Sequence, residues 1–230
     1  MTRWMRVLHK WIGVLVGIQF VLWMGSGLVM SLLDANKVHG ASSRTKASAA
    51  QAWPAQALPV DAILGAAGGT EVTTVATGWL GERAVYRVGG GGGVALVDAL
   101  DGTRVGIDAA LAARLSAASY AGNAAAGMPR LLEAAPEVRG HEGPVWRIDF
   151  ADDDDTSVYV SARTGDILAH RNSTWRVFDV AWMLHIMDYD QRTDFNHPLV
   201  IASALAALLL TLGGIWLTVV TFRLPGVGRR

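Results

Sequence analysis

Two stretches without a charged residue, Trp11 to Leu33 and Pro198 to Phe222, set most of what this 230-residue chain can become. Each exceeds the roughly 20 apolar residues that carry a helix across a hydrocarbon core of about 30 Å. Formal net charge is zero, an average that hides how strongly the apolar residues are gathered at the two ends. The expected fold class is therefore a membrane protein of α+β type, with two transmembrane helices flanking a folded middle. The first run is about twice the 7–15-residue apolar core of a secretory signal, and no small-residue cleavage site closes it directly. It reads as a retained signal anchor.

Orientation follows from the basic residues. Arg3, Arg6 and Lys10 precede the first helix, and Arg223, Arg229 and Arg230 follow the second. Both termini are thus expected in the cytoplasm of a bacterial inner membrane, with the middle in the periplasm. Lys37, Arg44 and Lys46 oppose this count, but they open a long connection, and long domains translocate largely regardless of charge. The chain has no cysteine, which excludes disulfides, thiolate metal sites and cysteine nucleophiles together. No phosphate loop, zinc-protease helix or nucleophile elbow is present. No basic stripe points to nucleic acid.

The middle is a repeat. After a small-residue stretch from Gly40 to Gln51, which reads as a linker, one pattern occurs twice: a helix, a strand, a turn and a second strand. In the first copy Val60 to Ala67 is helical, Ala84 to Val88 is a strand, and Val94 to Asp98 pairs with it before Asp101-Gly102. In the second, Ile107 to Ala118 is helical, Pro144 to Asp149 matches the first strand, and Val158 to Val160 leads to Thr164-Gly165. Two such αββ units would bury their apolar faces jointly. The expected boundaries are 1–34 for the first helix, 35–52 linker, 53–106 and 107–171 for the repeats, 172–196 for an interfacial amphipathic segment, 197–223 for the second helix and 224–230 for a cytoplasmic tail.

The aromatic-Arg-aliphatic strand followed by VYVSARTGDIL resembles the PepSY module, and VALVDALDGTRV is a looser version of it. RVLHKWIGVLVGIQFVLWMGSGLVM and WMLHIMDYDQRTDF resemble the membrane-flanking segments of PepSY-associated transmembrane proteins. Members of that family commonly have four or more spans and include proteins implicated in iron uptake and ferric-siderophore reduction, some of them carrying haem. This chain would be a reduced, two-span version, and a homodimer would restore a four-helix bundle.

Histidines are the soft-nitrogen ligands available. His9 falls at the cytoplasmic end of the first helix, whereas His39, His185 and His197 fall near the periplasmic boundary, too far from His9 to share one metal within a protomer. Two arrangements of a b-type haem remain open: a periplasmic-side site using two of His39, His185 and His197, or a cytoplasmic-side site between the His9 residues of two subunits. The resemblance places a ligand role on His9 and His185 through their leucine-histidine pairs. The bland alternatives are an interfacial hydrogen-bonded histidine at 185 and a helix cap at 197, where Pro198 suits a first turn. The row His9-Gly13-Gly17 leaves a smooth helical face, either for a flat macrocycle or, together with Gly213 and Gly214, for close helix packing. Trp175, Phe178, Val180 and Trp182 suggest an amphipathic helix at the headgroup level. Asp188, Asp190 and Asp194 read as a solvated connection, Asp152 to Asp155 as an exposed hairpin loop, and Gly89 to Gly93 as a flexible one, without the following helix that a dinucleotide fingerprint requires.

Two functions fit. One is an electron-transfer or ferric reductase-like oxidoreductase component that binds haem and serves a periplasmic protein or ferric chelate. The other is a non-enzymatic, membrane-tethered binding or assembly module, whose strand edges suit addition of a partner strand.

Overall fold

A computed structural model describes residues 2–46, 51–66 and 71–221. The basic residues Arg223, Arg229 and Arg230, the tail and the end of the first-repeat helix at Ala67 lie outside the described residues. Among the described residues the fold is α+β, with seven strands between two long apolar helices. Those helices are α1 (Thr2–Leu32) and α6 (Pro198–Thr221). Both are long and apolar enough to cross a membrane. Between them run α2 (Ala35–Val38), α3 (Val60–Ala66), β1 (Val72–Leu80), β2 (Arg83–Gly90), β3 (Gly93–Asp98), α4 (Ala109–Ser119), β4 (Arg130–Leu132), β5 (Val145–Asp149), β6 (Ser157–Ser161), β7 (Ile167–Arg171) and α5 (Ser173–Ile186). The chain divides into two compact units: Asp34–Arg176, and a helical unit of α1, α6 and the part of α5 from Val177 onward.

In the Asp34–Arg176 unit the strands form two antiparallel sheets, ordered β1-β2-β3 and β4-β5-β6-β7. Period-two alternation divides the faces. Val85 and Leu96 of the first sheet share one core with Ile148, Val158 and Val160 of the second and with Ala112 and Leu115 of α4. The opposite face of the first sheet, Ala84, Tyr86, Val88 and Val97, packs on Ile63 of α3 and on Trp53. Val145, Tyr159 and Ala169 cover the other face of the second sheet with Val138.

Each copy holds more strand than the sequence pattern suggests. β1 precedes the first expected hairpin, and β4 and β7 flank the second, so the unit is richer than αββ. β1 carries three threonines and one glycine, much of it is exposed, and its burial does not alternate. Helix α4 begins at Ala109 because the Asp108 carboxylate caps it, accepting from Leu111 N at 2.7 Å. β5 starts after Pro144, which has no N–H to give a ladder.

The stretch read as a linker is docked as far as Thr45. Gly40 sits in the left-handed region at φ 69° against the His170 backbone, and Ser43 and Thr45 bond to His170 and to the Ala118 and Ser119 carbonyls. The acidic loop 152–155 is likewise engaged. Asp152 accepts from Tyr120 Oη at 2.7 Å and from Thr156 N at 2.8 Å, while Asp154 pairs with Lys37 at 2.9 Å. Burial and this bond to Asp152 push the Tyr120 hydroxyl up to about 12.

Candidate functional site

In the helical unit the leucine-histidine pairs occupy opposite levels of α1. From His9 to Ser26 the helix rises about 26 Å. At the upper level His185, in the last turn of α5, lies against α1. Its Nδ1 is 3.2 Å from Ser26 Oγ, and the buried Ser26 hydroxyl donates to the Trp23 carbonyl at 3.1 Å. A serine hydrogen given to that carbonyl leaves Nδ1 as the donor to Ser26. Nε2 of His185 then carries the lone pair. Gly27 makes room for the ring, since a Cβ there would stand 3.4 Å from His185 Cε1.

At the lower level His9 rests on the returning helix. A Cβ on Gly214 would stand 3.4 Å from His9 Cε1, and one on Gly213 would stand 3.6 Å from Nδ1. The two glycines thus seat an imidazole. A Cβ on Gly13 would meet Leu210 at 3.8 Å, and one on Gly17 would meet nothing within 4 Å. On the same side of α1 as Ser26, the Trp23 indole N–H and the Gln19 amide nitrogen are buried without hydrogen-bond partners. An unpaired donor is costly in a membrane-spanning helix.

The remaining candidates are held in other ways. His197 caps α6, its Nδ1 accepting from Leu199 N at 3.4 Å. His39 is exposed in the other unit and donates from Nδ1 to the Ala35 carbonyl at 2.7 Å. Among the described residues no three His, Cys, Asp or Glu side chains group closely enough to hold a metal ion.

The aromatic residues of α5 are engaged within the protein. Trp175 is buried, with Arg171 over its ring at 4.2 Å and Arg139 at 5.8 Å. Trp182 stacks on Phe178, meets Phe195 edge-on at 5.0 Å and donates from its indole to the Arg192 carbonyl. Asp188 is buried rather than solvated. It accepts backbone N–H bonds from Asp190, Gln191, Thr193 and Asp194, and these hold its carboxyl well below the usual range. Arg192 pairs with the buried Asp179 and closes the loop.

One histidine had no signal in the sequence as a site. His170, in β7, is 1% exposed and sits between two serines, Nδ1 at 3.0 Å from Ser43 Oγ and Nε2 at 2.8 Å from Ser119 Oγ. Burial first and the Arg44 charge second push its pKa down to about 4. Inward placement on a strand was the available clue.

Set against family models, curated proteins and solved structures, the chain matches none.

Proposed function

We propose that this chain is an inner-membrane, PepSY-associated electron-transfer component linked to iron uptake, which holds haem b with the histidines of its helical unit. The single observation that carries this reading is the contact of His185 with Ser26. Its Nδ1 faces Ser26 Oγ at 3.2 Å, and with Nδ1–H given to Ser26 the nitrogen left with a lone pair would be Nε2, the arrangement in which an imidazole serves as an iron ligand. A haem would supply one-electron chemistry.

The protein's share is ligation, orientation and burial. Ser26 fixes the tautomer and the ring plane of His185, Gly27 clears its edge, and Gly213 with Gly214 clears the edge of His9. Among the described residues His9 has no second histidine at its level, so two-histidine ligation there calls for a second copy and favours a dimer, whereas His185 shares its end of the helical unit with His197. Large apolar side chains such as Leu15, Val21, Met24, Leu209 and Val219 are exposed on α1 and α6. Lipid or a second copy is their expected cover. The basic residues Arg3, Arg6 and Lys10 support cytoplasmic termini and a periplasmic location for the α+β unit. The electron acceptor would be a periplasmic ferric chelate or protein.

The test is an oxidised-minus-reduced visible spectrum of the detergent-purified chain from haem-replete cells, with a pyridine haemochrome assay for stoichiometry. A b-type spectrum that is lost in His185→Ala or His9→Ala supports the reading and identifies a ligand. A colourless protein sinks it and leaves a membrane-tethered binding module as the better account.

A further inference from the structure

Among the described residues the sheet edges are β1 and β3 in the first sheet and β4 and β7 in the second. An open edge offers unpaired N–H and C=O groups to another strand, and proteins blunt it with shortness, charge, proline or a covering segment. The edges other than β1 are blunted. Along β3 runs the segment that follows it, Asp98 N donating to the Thr103 carbonyl at 2.8 Å and Val105 N to the Leu96 carbonyl at 2.9 Å. β4 has three residues and starts on Arg130. β7 ends on His170-Arg171 and is met at His170 by Gly40 of the docked segment.

β1 is nine residues long and holds neither a charge nor a proline. A bulge between Val72 and Thr74 leaves Thr74 to Leu80 in regular register with β2. The two-residue turn Gly81-Glu82 closes that ladder at Leu80 and Arg83, so bonded pairs recur at Gly78 and Ala76. The N–H and C=O groups of Val75, Thr77 and Trp79 therefore point away from β2. Among the described residues no backbone bond reaches them. Thr74, Ala76 and Thr77 are exposed.

We propose that β1 pairs antiparallel with β1 of a second copy, about a two-fold axis at Thr77, and joins two three-stranded sheets into one continuous sheet. The occupant follows from what self-pairing demands. A strand set antiparallel against itself brings side chains near their own kind, so a charge on it would lie near its like. β1 carries none. An axis at Thr77 pairs the whole regular stretch and sets Thr77 opposite the partner's Thr77 and Val75 opposite the partner's Trp79. Threonine–threonine and aromatic–β-branched pairs both stabilise a ladder. One strand pair is a small seam for free molecules, but two copies anchored in one bilayer meet at a high effective concentration. The inference does not depend on haem.

The test uses the full chain in membranes, where the absence of cysteine gives single-cysteine variants no background. Thr74→Cys, Ala76→Cys, Thr77→Cys and, just beyond β4, Glu133→Cys are mildly oxidised and the product is weighed. Thr77→Cys should form a disulfide-linked product of twice the chain's mass at least about tenfold faster than Thr74→Cys or Glu133→Cys, because only a residue on the axis brings its own copy within disulfide reach. Ala76→Cys, read with a short bismaleimide across the diagonal of about 7–8 Å, reports the same seam. Adding Thr77→Lys to it should lower the linked fraction about threefold, and co-producing Thr77→Lys and Thr77→Glu chains should restore it, while circular dichroism reports folding. The proposal is overturned by no disulfide at Thr77→Cys, by equal rates at Glu133→Cys, by a product of another mass, which would mark a foreign strand on β1, or by a linked fraction unmoved in a folded Thr77→Lys variant. Haem content is read separately by the visible spectrum, so failure of one reading does not mimic failure of the other.

Discussion

Acidification should destabilise the α+β unit through His170, and the structure gives both the sign and the size. Ser43 Oγ donates to the Gly40 carbonyl at 3.1 Å, so it accepts from His170 Nδ1–H. Nε2 in turn accepts from Ser119 Oγ. A second ring proton would oppose the Ser119 hydroxyl and add a cation to a buried site that already feels Arg44. The folded-state pKa is about 4, against 6.5 for the free side chain. Between those values the unfolded chain binds a proton that the folded chain refuses. Stability therefore falls as pH falls from 6.5 to 4, by roughly 3 kcal/mol at about 1.4 kcal/mol per unit. That corresponds to a loss of about 10 °C in melting temperature for a unit of this size.

The carboxylates act in a different window. Asp149, Asp152 and Asp166 have pKa values lowered from 3.8, so their contribution is present above that value and is lost as pH falls below it. The assay is urea unfolding of the full chain in detergent at pH 7 to 4, followed by near-ultraviolet circular dichroism. His170→Gln supplies an amide able to donate to Ser43 and accept from Ser119 without titrating. In that variant the slope between pH 6.5 and 4 should lose about one proton. A wild-type profile that is flat in this window, or an unchanged slope in His170→Gln, would refute the reasoning.

Four further outcomes are expected. Glu137 accepts from Tyr159 Oη at 2.9 Å and from Arg176 Nε at 2.9 Å, so Glu137→Ala should cost roughly 2–3 kcal/mol in thermal unfolding. Asp188→Ala leaves four backbone N–H groups without their acceptor and should open the loop 188–194 to trypsin at Arg192, with Asp188→Asn intermediate in limited proteolysis. Gly214→Val should displace His9 and change any visible spectrum that His9 contributes, whereas Gly17→Ala, which meets nothing within 4 Å, should leave it unaltered. Gly102 and Gly165 share the left-handed region at φ 74° and 71°, but a Cβ at 165 overlaps Leu80 while one at 102 approaches Leu58 at 3.3 Å. Gly165→Ala should exceed Gly102→Ala by about 1–3 kcal/mol in denaturant unfolding, the usual range for overpacking a core.

Long-period signals were legible in the sequence and short or exposed elements were not. The two apolar helices needed only length and absence of charge. Strands β2, β3, β5 and β6 carried β-branched and aromatic residues that end up inside. β4 has three residues, which no periodicity test can detect, and β1 shows no clean alternation. Asp188 looked like a solvated acid because the sequence does not show where backbone N–H groups converge. His9 and His185 were visible as motif residues, but their seats were not. That Gly27 faces His185 and Gly213–Gly214 face His9 depends on how the helices of one unit pack together.

The repeat explains why the second copy is the easier to see. After β6 the Ser161 hydroxyl accepts from the N–H groups of Arg163 and Thr164; after β3 the Asp98 carboxylate accepts from those of Leu100 and Asp101. The glycine that follows then bonds back, Gly165 N to the Ser161 carbonyl at 2.9 Å and Gly102 N to the Asp98 carbonyl at 3.1 Å. Different side chains therefore build one turn, because all it needs is an oxygen acceptor at its first position and a residue free to take positive φ near its end. Beyond the turn the copies diverge. The second continues into a full strand, β7 on β6, whereas the first makes a single bridge from Arg104 to Val97. That early divergence leaves Arg104 beside the β2–β3 hairpin, near Arg163 of the second copy's turn. Duplication with unequal ends thus makes an asymmetric surface out of two similar halves.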